Sequence, residues 1–336
     1  MAKLSSDNSR VLMLLMGIAV ALPSDAQAGD VAEVDVGGSL FAHWGYNMKP
    51  TPYEGYVDGD PRPNAFDIDR AFLDVTAKLD ETFSIKARTD VARDDGGKLA
   101  LFMRNAYLQV ALEEGVKLRF GAAENTMNHL SAQFWDQRWL AEPFASENDA
   151  NHVADLGVYA LGNHADGLLS WGAAVVNGEG YQSMDTDHDK AFQGRITVDP
   201  LHGDMKLPIS VYMSKDFYTH NEVDGHTVLI AAIGFDQEYA NVWGEYVSDS
   251  AGDLKAGGMS FSVVGKVPDL FNLIGRYDTW DPDKGVDGDE HNTIRSGVTK
   301  DFTETISAGI MYEQKKFKAD PDQPHKGVYF RMQAGF

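Results

Sequence analysis

Apolar and polar residues alternate with a period of two along most of the chain, which is the pattern of a β-strand with two different faces. In the segment 329–336, phenylalanine, methionine and alanine occupy the even positions, while tyrosine, arginine, glutamine and glycine occupy the odd ones. The segments 306–313 and 116–121 show a similar alternation. A sheet between lipid and water needs one apolar face and one polar face, so this pattern predicts a membrane-spanning β-barrel.

The alternation divides the chain into sixteen predicted strands, most of them near the length of about 9–11 residues that crosses a bilayer at a tilt. Barrels of this size leave an aqueous lumen. We therefore predict an all-β fold, a 16-stranded antiparallel transmembrane β-barrel with a long inward-folding loop. The predicted strands are 33–47, 66–79, 82–92, 101–112, 116–123, 153–162, 167–176, 190–199, 206–215, 226–236, 239–248, 256–266, 270–280, 292–301, 304–316 and 326–336.

The predicted links between strands alternate in length. After even-numbered strands they are short, as at Asp80-Glu81 and Phe302-Thr303. After odd-numbered strands they are longer and rich in acidic residues, glycine and proline, as at 48–65, 216–225 and 249–255. Outer-membrane barrels have short periplasmic turns and longer extracellular loops. The parity therefore favours a barrel over the alternative of a secreted soluble β-protein.

The N-terminus has the pattern of a cleavable export signal. Lys3 and Arg10 precede an apolar run at 11–22, and the small residues of 26–28 supply a cleavage signature. Such a run is too short to span a membrane as a helix. We therefore predict a signal peptide at 1–28 and one outer-membrane β-barrel over 29–336; the alternative is a buried helix at the start of a soluble domain.

Composition narrows the functional classes. The chain has no cysteine, so an exported protein of this kind is not a small disulfide scaffold. Its formal net charge is −22, which argues against nucleic acid as a partner because phosphates need neutralising lysine and arginine. After residue 28, no apolar stretch approaches the length of a transmembrane helix.

The longest predicted link, 124–152, differs from the others. Loops of this length usually carry function. It contains four large aromatic residues, which need a surface to pack on. We predict that it folds into the barrel mouth or lumen and narrows it; the alternative is a cap over the rim or against a neighbouring subunit. The four aromatic residues are Phe134, Trp135, Trp139 and Phe144.

Basic residues share the polar face of the predicted strands 2, 3 and 5. An arginine or lysine facing lipid at mid-bilayer costs roughly 2–4 kcal/mol, so these side chains are expected to face the lumen, where charges set ion preference. In the alternative interpretation, Arg70 with Asp74 and Arg88 with Asp90 form a neutral salt-bridge lattice. The candidate pore-lining residues are Arg70, Lys78, Lys86, Arg88, Lys117 and Arg119, with Arg195 on a later strand.

Signatures of enzymes and metal sites were not found. The sequence has no H-E-x-x-H zinc motif, nucleophile elbow or phosphate-binding loop. The acidic stretches 281–290 and 185–189 offer oxygen ligands but lack the spacing of a calcium-binding EF-hand. We predict no enzyme activity, no catalytic residue, no metal site and no cofactor.

Three stretches resemble the phosphate-selective porin O and P family. Residues 66–75 resemble its arginine-rich second strand. Residues 102–108 and 118–121 resemble its Arg-Asp-Ala-Tyr strand and the strand leading to its constriction loop. Residues within 155–195 resemble the block downstream of that loop. The resemblance implies a trimeric 16-stranded porin with a lumenal arginine ladder and a narrow anion-binding constriction.

Carried onto this chain, the resemblance matches Arg70 to the basic cluster of the second strand, although the neighbouring residues here are Asp67 and Asp69. The corresponding constriction loop holds Arg138 beside several acids. We count Arg138 among the candidate pore-lining residues that set selectivity, and the constriction residues that we predict are Glu124, Phe134, Trp135, Asp136 and Trp139.

Together these patterns predict a passive diffusion channel of the bacterial outer membrane. Its partners are expected to be outer-membrane lipids, small ions and hydrophilic solutes, with anions such as phosphate among them. A homotrimer is implied by the resemblance alone. The alternative function is a structural or adhesion barrel in which the long loop acts as a plug.

Overall fold

A computed structural model of the chain describes residues 33–48, 64–93, 97–113, 115–185, 188–220, 223–322 and 324–336. The predicted signal peptide lies outside them. The number of strands is as predicted, and their ends differ from the predicted ends by at most five residues. The strands are β1 (Glu33–Asn47), β2 (Asn64–Lys78), β3 (Phe83–Arg93), β4 (Leu99–Glu113), β5 (Val116–Glu124), β6 (Ala154–His164), β7 (Leu169–Val176), β8 (Ala191–Val198), β9 (Ile209–His220), β10 (Val223–Gln237), β11 (Ala240–Ala251), β12 (Leu254–Val267), β13 (Phe271–Asp281), β14 (His291–Asp301), β15 (Ile306–Phe317) and β16 (His325–Gly335).

The sixteen strands form one closed antiparallel barrel in which each strand pairs with its neighbours in sequence. Closure joins the two ends of the sheet, where β1 pairs with β16 from Ser39–Gly335 to Asn47–Gly327. The backbone N–H of Gly38 also donates to the carbonyl oxygen of Phe336 at 3.2 Å. A closed barrel has no free strand edge, because each strand is hydrogen-bonded to a neighbour on both sides. The predicted fold class is confirmed.

The two faces of the barrel differ as the sequence alternation predicts. Along β12, Met259 and Phe261 are more than half exposed on the outer face, whereas Ser260 and Ser262 are buried on the inner face. The outer face of the other strands is similarly apolar, which suits contact with lipid. Exposed outer-face residues include Leu40, Leu73, Ile85, Leu101, Val211, Ile233, Tyr246, Leu273, Ile294, Ile310 and Phe330.

The alternation of short and long links is only partly present. The links 79–82 and 238–239 are short as predicted, and the link 125–153 is long. The predicted loops 216–225 and 249–255 are wrong, because β9 runs to His220, β10 starts at Val223, and only two residues separate β11 from β12. Backbone pairing continues there through polar residues, which a pattern of apolar residues does not show.

Four strand pairs contain a register shift, and two of these shifts change which side chains of the candidate site face inward. The β1–β2 register shifts between Phe41 and Ala42, so that Asp69 is the extra residue of β2. The β3–β4 register shifts between Arg88 and Thr89, so that Arg104 is the extra residue of β4. Such β-bulges break the strict inward–outward alternation of a strand.

Two short helices lie in the link between β5 and β6. They are α1 (Asn128–Trp135) and α2 (Phe144–Glu147). Within the described part of the chain, no helix has the length and apolar character needed to cross a membrane.

Candidate functional site

The link 125–153, here called the long loop, is tied to the barrel at its two ends. It begins after Glu124, which was predicted inside the loop but is the last residue of β5. The Nδ2 atom of Asn125 donates to Oδ1 of Asn151 at 2.7 Å and to the hydroxyl of Tyr212 at 2.8 Å. The backbone N–H of Met127 donates to Oδ1 of Asn125 at 2.8 Å. One buried amide therefore joins the start of the loop, its end and the wall at β9.

Two aromatic residues of the loop, Phe134 and Phe144, pack on the inner face of β10 to β13. The ring of Phe134 stacks on Trp243 with centroids 5.2 Å apart, and Phe144 meets Trp280 edge-on at 5.7 Å. Gly234 makes the first contact possible, since a Cβ atom there would lie 2.7 Å from the ring of Phe134. This apolar contact anchors the loop to one side of the barrel.

Glu245 of β11 is a buried carboxylate beneath the loop, and sequence reasoning did not identify it. Its Oε2 atom accepts from the hydroxyl of Ser131 at 2.9 Å and from Nε1 of Trp243 at 3.0 Å. Its Oε1 atom accepts from the backbone N–H of Ala145 at 3.1 Å. Three donors therefore compensate the buried group, and two of them belong to the loop. The only sequence signal is an acidic residue at an inward position of a strand.

Glu147 binds the loop to a pair of buried arginines on the same side. Its Oε2 atom accepts from Nη2 of Arg276 at 2.9 Å, and its Oε1 atom accepts from Nη2 of Arg295. Asp278 lies between the two guanidinium groups, 2.9 Å from Nε of Arg276 and 2.6 Å from Nη1 of Arg295. Arg276 also donates to the carbonyl oxygen of Glu142 at 2.6 Å. The side chains of both arginines are almost fully buried, so their charges are balanced by these acids.

The loop also contacts the side of the barrel formed by β1 and β2. Nη2 of Arg70 donates to Oε1 of Glu142 at 2.8 Å, and Nη1 of Arg70 donates to Asp90 at 3.1 Å. An apolar cluster accompanies this contact, in which loop residues pack against side chains of the five strands β1, β2, β12, β13 and β15. Its buried members are Phe41, Phe72, Trp135, Trp139, Leu140, Val264, Ile274 and Met311. The long loop therefore contacts inward-facing side chains on both sides of the barrel.

The basic residues predicted on β2 and β3 form ion pairs between strands. Nε of Arg88 donates to Oδ1 of Asp74 at 2.6 Å, and Nη2 donates to Oδ2 at 2.9 Å. Lys86 lies 3.7 Å from the same carboxylate. The salt-bridge lattice considered above therefore exists with exchanged partners: Arg88 pairs with Asp74, and Arg70 pairs with Asp90 rather than along its own strand.

Arg104 is an inward-facing cation that the sequence pattern missed, because it is the extra residue of the β4 bulge. It is 2% exposed, and its Nε atom has no hydrogen-bond partner. In the described part of the chain it forms no ion pair. Its guanidinium lies 5.3 Å from the ring centroid of Phe72, and those of Arg88 and Arg138 lie 5.2 and 6.0 Å from the same ring. Three guanidinium groups therefore surround one aromatic ring.

The remaining predicted residues are not all brought together. Lys78 pairs with Glu33 at 2.5 Å near the short-turn end of the barrel. Arg195 donates to Ser170 and Thr197 on the wall of β7 and β8. Asp136 is exposed and follows α1 in a left-handed conformation. The two other predicted residues lie on β5. Lys117 is exposed. Arg119 donates to Gln109 at 3.1 Å, and its guanidinium lies 4.8 Å from the ring centroid of Tyr107.

A cavity of about 470 Å³ separates the tip of the long loop from β1, β2 and β3. Its wall is polar and contains five arginines and five acids. Such a space, bounded by fixed charges of both signs, is large enough to admit water and small solutes. The charged lining residues are Asp67, Asp69, Arg70, Arg93, Arg138, Glu142, Glu147, Arg295, Glu313 and Arg331.

No protein-family model matches the chain, and no curated protein matches it either. Solved structures do match. An anion-selective porin from Comamonas acidovorans aligns with a TM-score of 0.64 and 12% identity, over 90% of this chain and 99% of that one. OprB of Pseudomonas putida aligns with a TM-score of 0.67 and 6% identity, over 90% and 94%. A trimer form of OmpT, an outer membrane protein of Vibrio cholerae, aligns with a TM-score of 0.57 and 14% identity, over 91% and 100%. At these identities the similarity shows a shared barrel fold.

Proposed function

We propose that this protein is a passive diffusion channel of the bacterial outer membrane, for small hydrophilic solutes and ions, and that the long loop constricts it. The observation that carries the proposal is the attachment of the loop to distant parts of the wall, through Ser131 and the backbone of Ala145 to Glu245 of β11 and through Glu142 to Arg70 of β2. A segment held in this way leaves a narrow charged passage instead of an open lumen. The similarity of the fold to that of an anion-selective porin supports the same conclusion.

We further propose a preference for anions, including oxyanions such as phosphate. The acids Asp74, Asp90 and Glu142 are each bound to an arginine, whereas Arg104 and Arg138 form no direct ion pair with a described residue, and Arg138 acts on Glu142 only from beyond contact distance. An unpaired charge acts more strongly on a passing ion than a paired one. At a separation of about 4 Å, opposite unit charges attract by about 4 kcal/mol near a protein surface and about 1 kcal/mol in bulk water.

The test is a reversal-potential measurement on the purified barrel in a planar bilayer with a salt gradient. We expect stepwise conductance and a reversal potential whose sign reports anion preference. Heat-modifiable migration on a gel establishes that the barrel is folded. A folded barrel without conductance contradicts the channel, and a cation-selective reversal potential contradicts the charge assignment alone.

The second candidate function is a structural or adhesion barrel plugged by the long loop. The apolar cluster of Trp139 and Leu140 with Phe41 and Phe72 favours it, because packed side chains close that part of the lumen. This alternative predicts a folded barrel that does not conduct. The reversal-potential experiment therefore discriminates between the two functions.

Export, assembly and the lack of chemistry belong to the same proposal. We expect signal cleavage before Gly29, recovery of the mature chain in the outer-membrane fraction, and a homotrimer. N-terminal sequencing and the mass of the native complex in mild detergent test these points. Enzyme activity, a metal site and a cofactor are not part of the proposed function.

A further inference from the structure

The segment between β7 and β8, residues 177–190, is held against the start of β6. The backbone N–H of Gly178 donates to Oδ2 of Asp155 at 2.9 Å, and the backbone N–H of Tyr181 donates to the carbonyl oxygen of Ala154 at 3.1 Å. Asp155 is only 2% exposed, so its carboxylate is a fixed anchor within the wall. The beginning of this segment, here called the β7–β8 link, therefore has a defined position.

Two glycines turn the β7–β8 link sharply just before Tyr181. Gly178 and Gly180 have φ angles of 122° and 79°, in the region that favours glycine. A Cβ atom at Gly180 would lie 2.9 Å from the ring of His152, and one at Gly178 would collide with the carboxylate of Asp216. The backbone of the link therefore fits closely between its neighbours, which fixes the point from which the side chain of Tyr181 extends.

The side chain of Tyr181 crosses the barrel interior to β3. Its hydroxyl donates to Oδ2 of Asp90 at 3.0 Å, and the same oxygen accepts from Nη1 of Arg70 at 3.1 Å. In the sheet, β4 and β5 lie between β3 and β6, where the backbone of Tyr181 is held. Neighbouring strands are about 4.8 Å apart, so about 14 Å of wall separates β3 from β6. The side chain therefore lies in front of β4 and β5 instead of following the wall.

Inward residues of β4 and β5 are closed off from solvent at this level. Arg104 of β4 is 2% exposed, and its neighbour Asn105 and Ala123 of β5 are fully buried. Nε of Arg104 and both polar side-chain atoms of Asn105 lack a hydrogen-bond partner among the described residues. Burying polar groups without partners is costly, so a covering group has to keep water away from them. Tyr181 is in the position to be that group.

The hydroxyl of Tyr181 keeps its proton at neutral pH. Burial and Asp90 raise its pKa to about 12, while Arg70 and Arg104 act in the opposite direction. The phenol is therefore a hydrogen-bond donor to the Asp90 carboxylate, and Arg104 is close enough to influence it.

Asp90 also connects Tyr181 to the long loop. Arg70 donates both to Asp90 and to Glu142 of the long loop, so four side chains form one continuous chain of hydrogen bonds. The long loop and the β7–β8 link, which are separate segments of the sequence, thus meet at the inner face of β2 and β3. Two segments therefore occupy this part of the lumen.

We propose that Tyr181 is a second constriction residue, which covers Arg104 and limits the size of the solutes that pass on this side of the lumen. The ring supplies the bulk, and the hydrogen bond to Asp90 holds it in front of β4 and β5. The effect on passage rests on the proposed channel function, whereas the covering of Arg104 applies to a plugged barrel as well.

Thiol labelling measures the cover directly, because the chain has no cysteine of its own. The full barrel with Arg104→Cys is treated in nanodiscs with a membrane-impermeant maleimide. We expect Tyr181→Ala to raise the labelling rate about tenfold, since the rate follows the exposure of the thiol. Tyr181→Phe keeps the ring and loses only the hydrogen bond, so we expect an intermediate rate. The matched control is Lys117→Cys on β5, which is already exposed and is expected to react equally fast in all three backgrounds.

Single-channel conductance measures the effect on passage. We expect Tyr181→Ala to raise the conductance about twofold, because the dimensions of a pore determine what it conducts. Tyr239→Ala is the matched control, since it removes an exposed tyrosine from the turn between β10 and β11, and it is expected to conduct as the wild type does. Gel migration reports the folding of each variant.

The two measurements separate this inference from the proposed function. A folded wild type that does not conduct contradicts the channel, and labelling at residue 104 then still decides whether Tyr181 covers it. Equal labelling rates of Arg104→Cys with tyrosine, phenylalanine and alanine at residue 181 overturn the proposal in either case. Unchanged conductance of Tyr181→Ala in a conducting barrel overturns it as well.

Discussion

The carboxylate of Glu147 lies 2.9 Å from the guanidinium of Arg276, so a residue of the long loop is bound to a strand on one side of the barrel. The same carboxylate contacts Arg295 on the next strand. One side chain thus connects the loop to β13 and β14, while Glu142, five residues earlier in the loop, contacts Arg70 of β2. These contacts make the position of the loop sensitive to a few charges.

The first prediction concerns this attachment. Glu147→Gln removes a charge that balances two buried arginines, so we expect it to loosen the loop and destabilise the barrel by about 2 kcal/mol. Unfolding in urea, monitored by heat-modifiable migration, measures the change. Glu304→Gln is the matched control, because Glu304 is exposed in the turn before β15. Equal stability of the two variants would contradict the assigned role of Glu147.

The same acids predict a dependence on pH. Burial alone raises the pKa of Glu147, but Arg295 and Arg276 outweigh it and hold the pKa below its ordinary range. Burial also raises the pKa of Glu142, and Arg138 and Arg70 outweigh it, so this pKa is lowered as well. A carboxylate with a lowered pKa contributes stability above its ordinary pKa of about 4.3, and that contribution is lost as the pH falls through the lowered value.

We therefore expect single-channel current to be steady at neutral pH and to fluctuate more as the pH falls through the lowered pKa of these two carboxylates, where the loop loses its ion pairs. Glu147→Gln is expected to fluctuate already at neutral pH and to respond less to acid. The contrary result is wild-type current noise that stays constant from neutral pH down to the acid pH at which the barrel itself unfolds.

The third prediction separates paired from unpaired cations. Arg104→Gln and Arg138→Gln each remove a cation without an ion-pair partner, so we expect both to shift the reversal potential towards cations. Arg88→Ala removes the two hydrogen bonds that Arg88 donates to Asp74. The carboxylate of Asp74 then adds negative charge to the lumenal wall, so we expect a shift in the same direction. Lys78→Gln, at the short-turn end and bound to Glu33, is the control with little expected effect. A reversal potential that is the same in Arg104→Gln and Arg138→Gln as in the wild type contradicts the proposed anion preference.

The fourth prediction concerns apolar packing of the loop. Phe134→Ala removes the ring that stacks on Trp243 and leaves a cavity above Gly234. We expect a loss of about 3 kcal/mol in unfolding free energy and a higher conductance from a displaced loop. Met184→Ala, at a highly exposed position, is expected to change neither quantity. Unchanged conductance with reduced stability would limit Phe134 to a structural role.

Much of the barrel could be predicted because alternation is a local property of the chain. Each strand from β1 to β8 and from β13 to β16 shows the alternation of apolar and polar residues within its own sequence. The hairpins of β9–β10 and β11–β12 extend further than predicted, since their last residues pair through the backbone with polar side chains. A pattern of apolar residues does not report such pairing.

The candidate site could be predicted less completely, because it depends on contacts between distant residues. Arg104 was missed because a bulge places it inward, out of step with the alternation of β4. Glu245 carries no motif, and its role follows from three donors that the fold brings to it. The partners of Arg70 and Arg88 are set by strand register, which the sequence of one strand does not contain.

The hydrogen bonds between Gly38 and Phe336 join residues from opposite ends of the chain. Their pairing has the largest sequence separation in the sheet, so we expect it to form last, after the intervening hairpins have brought the two ends together. Until β16 arrives, β1 and β15 each present an unpaired edge that can bind another chain. Assembly is therefore expected to be slow and to need protection of these edges, and removal of the last strand leaves both edges open instead of weakening one contact.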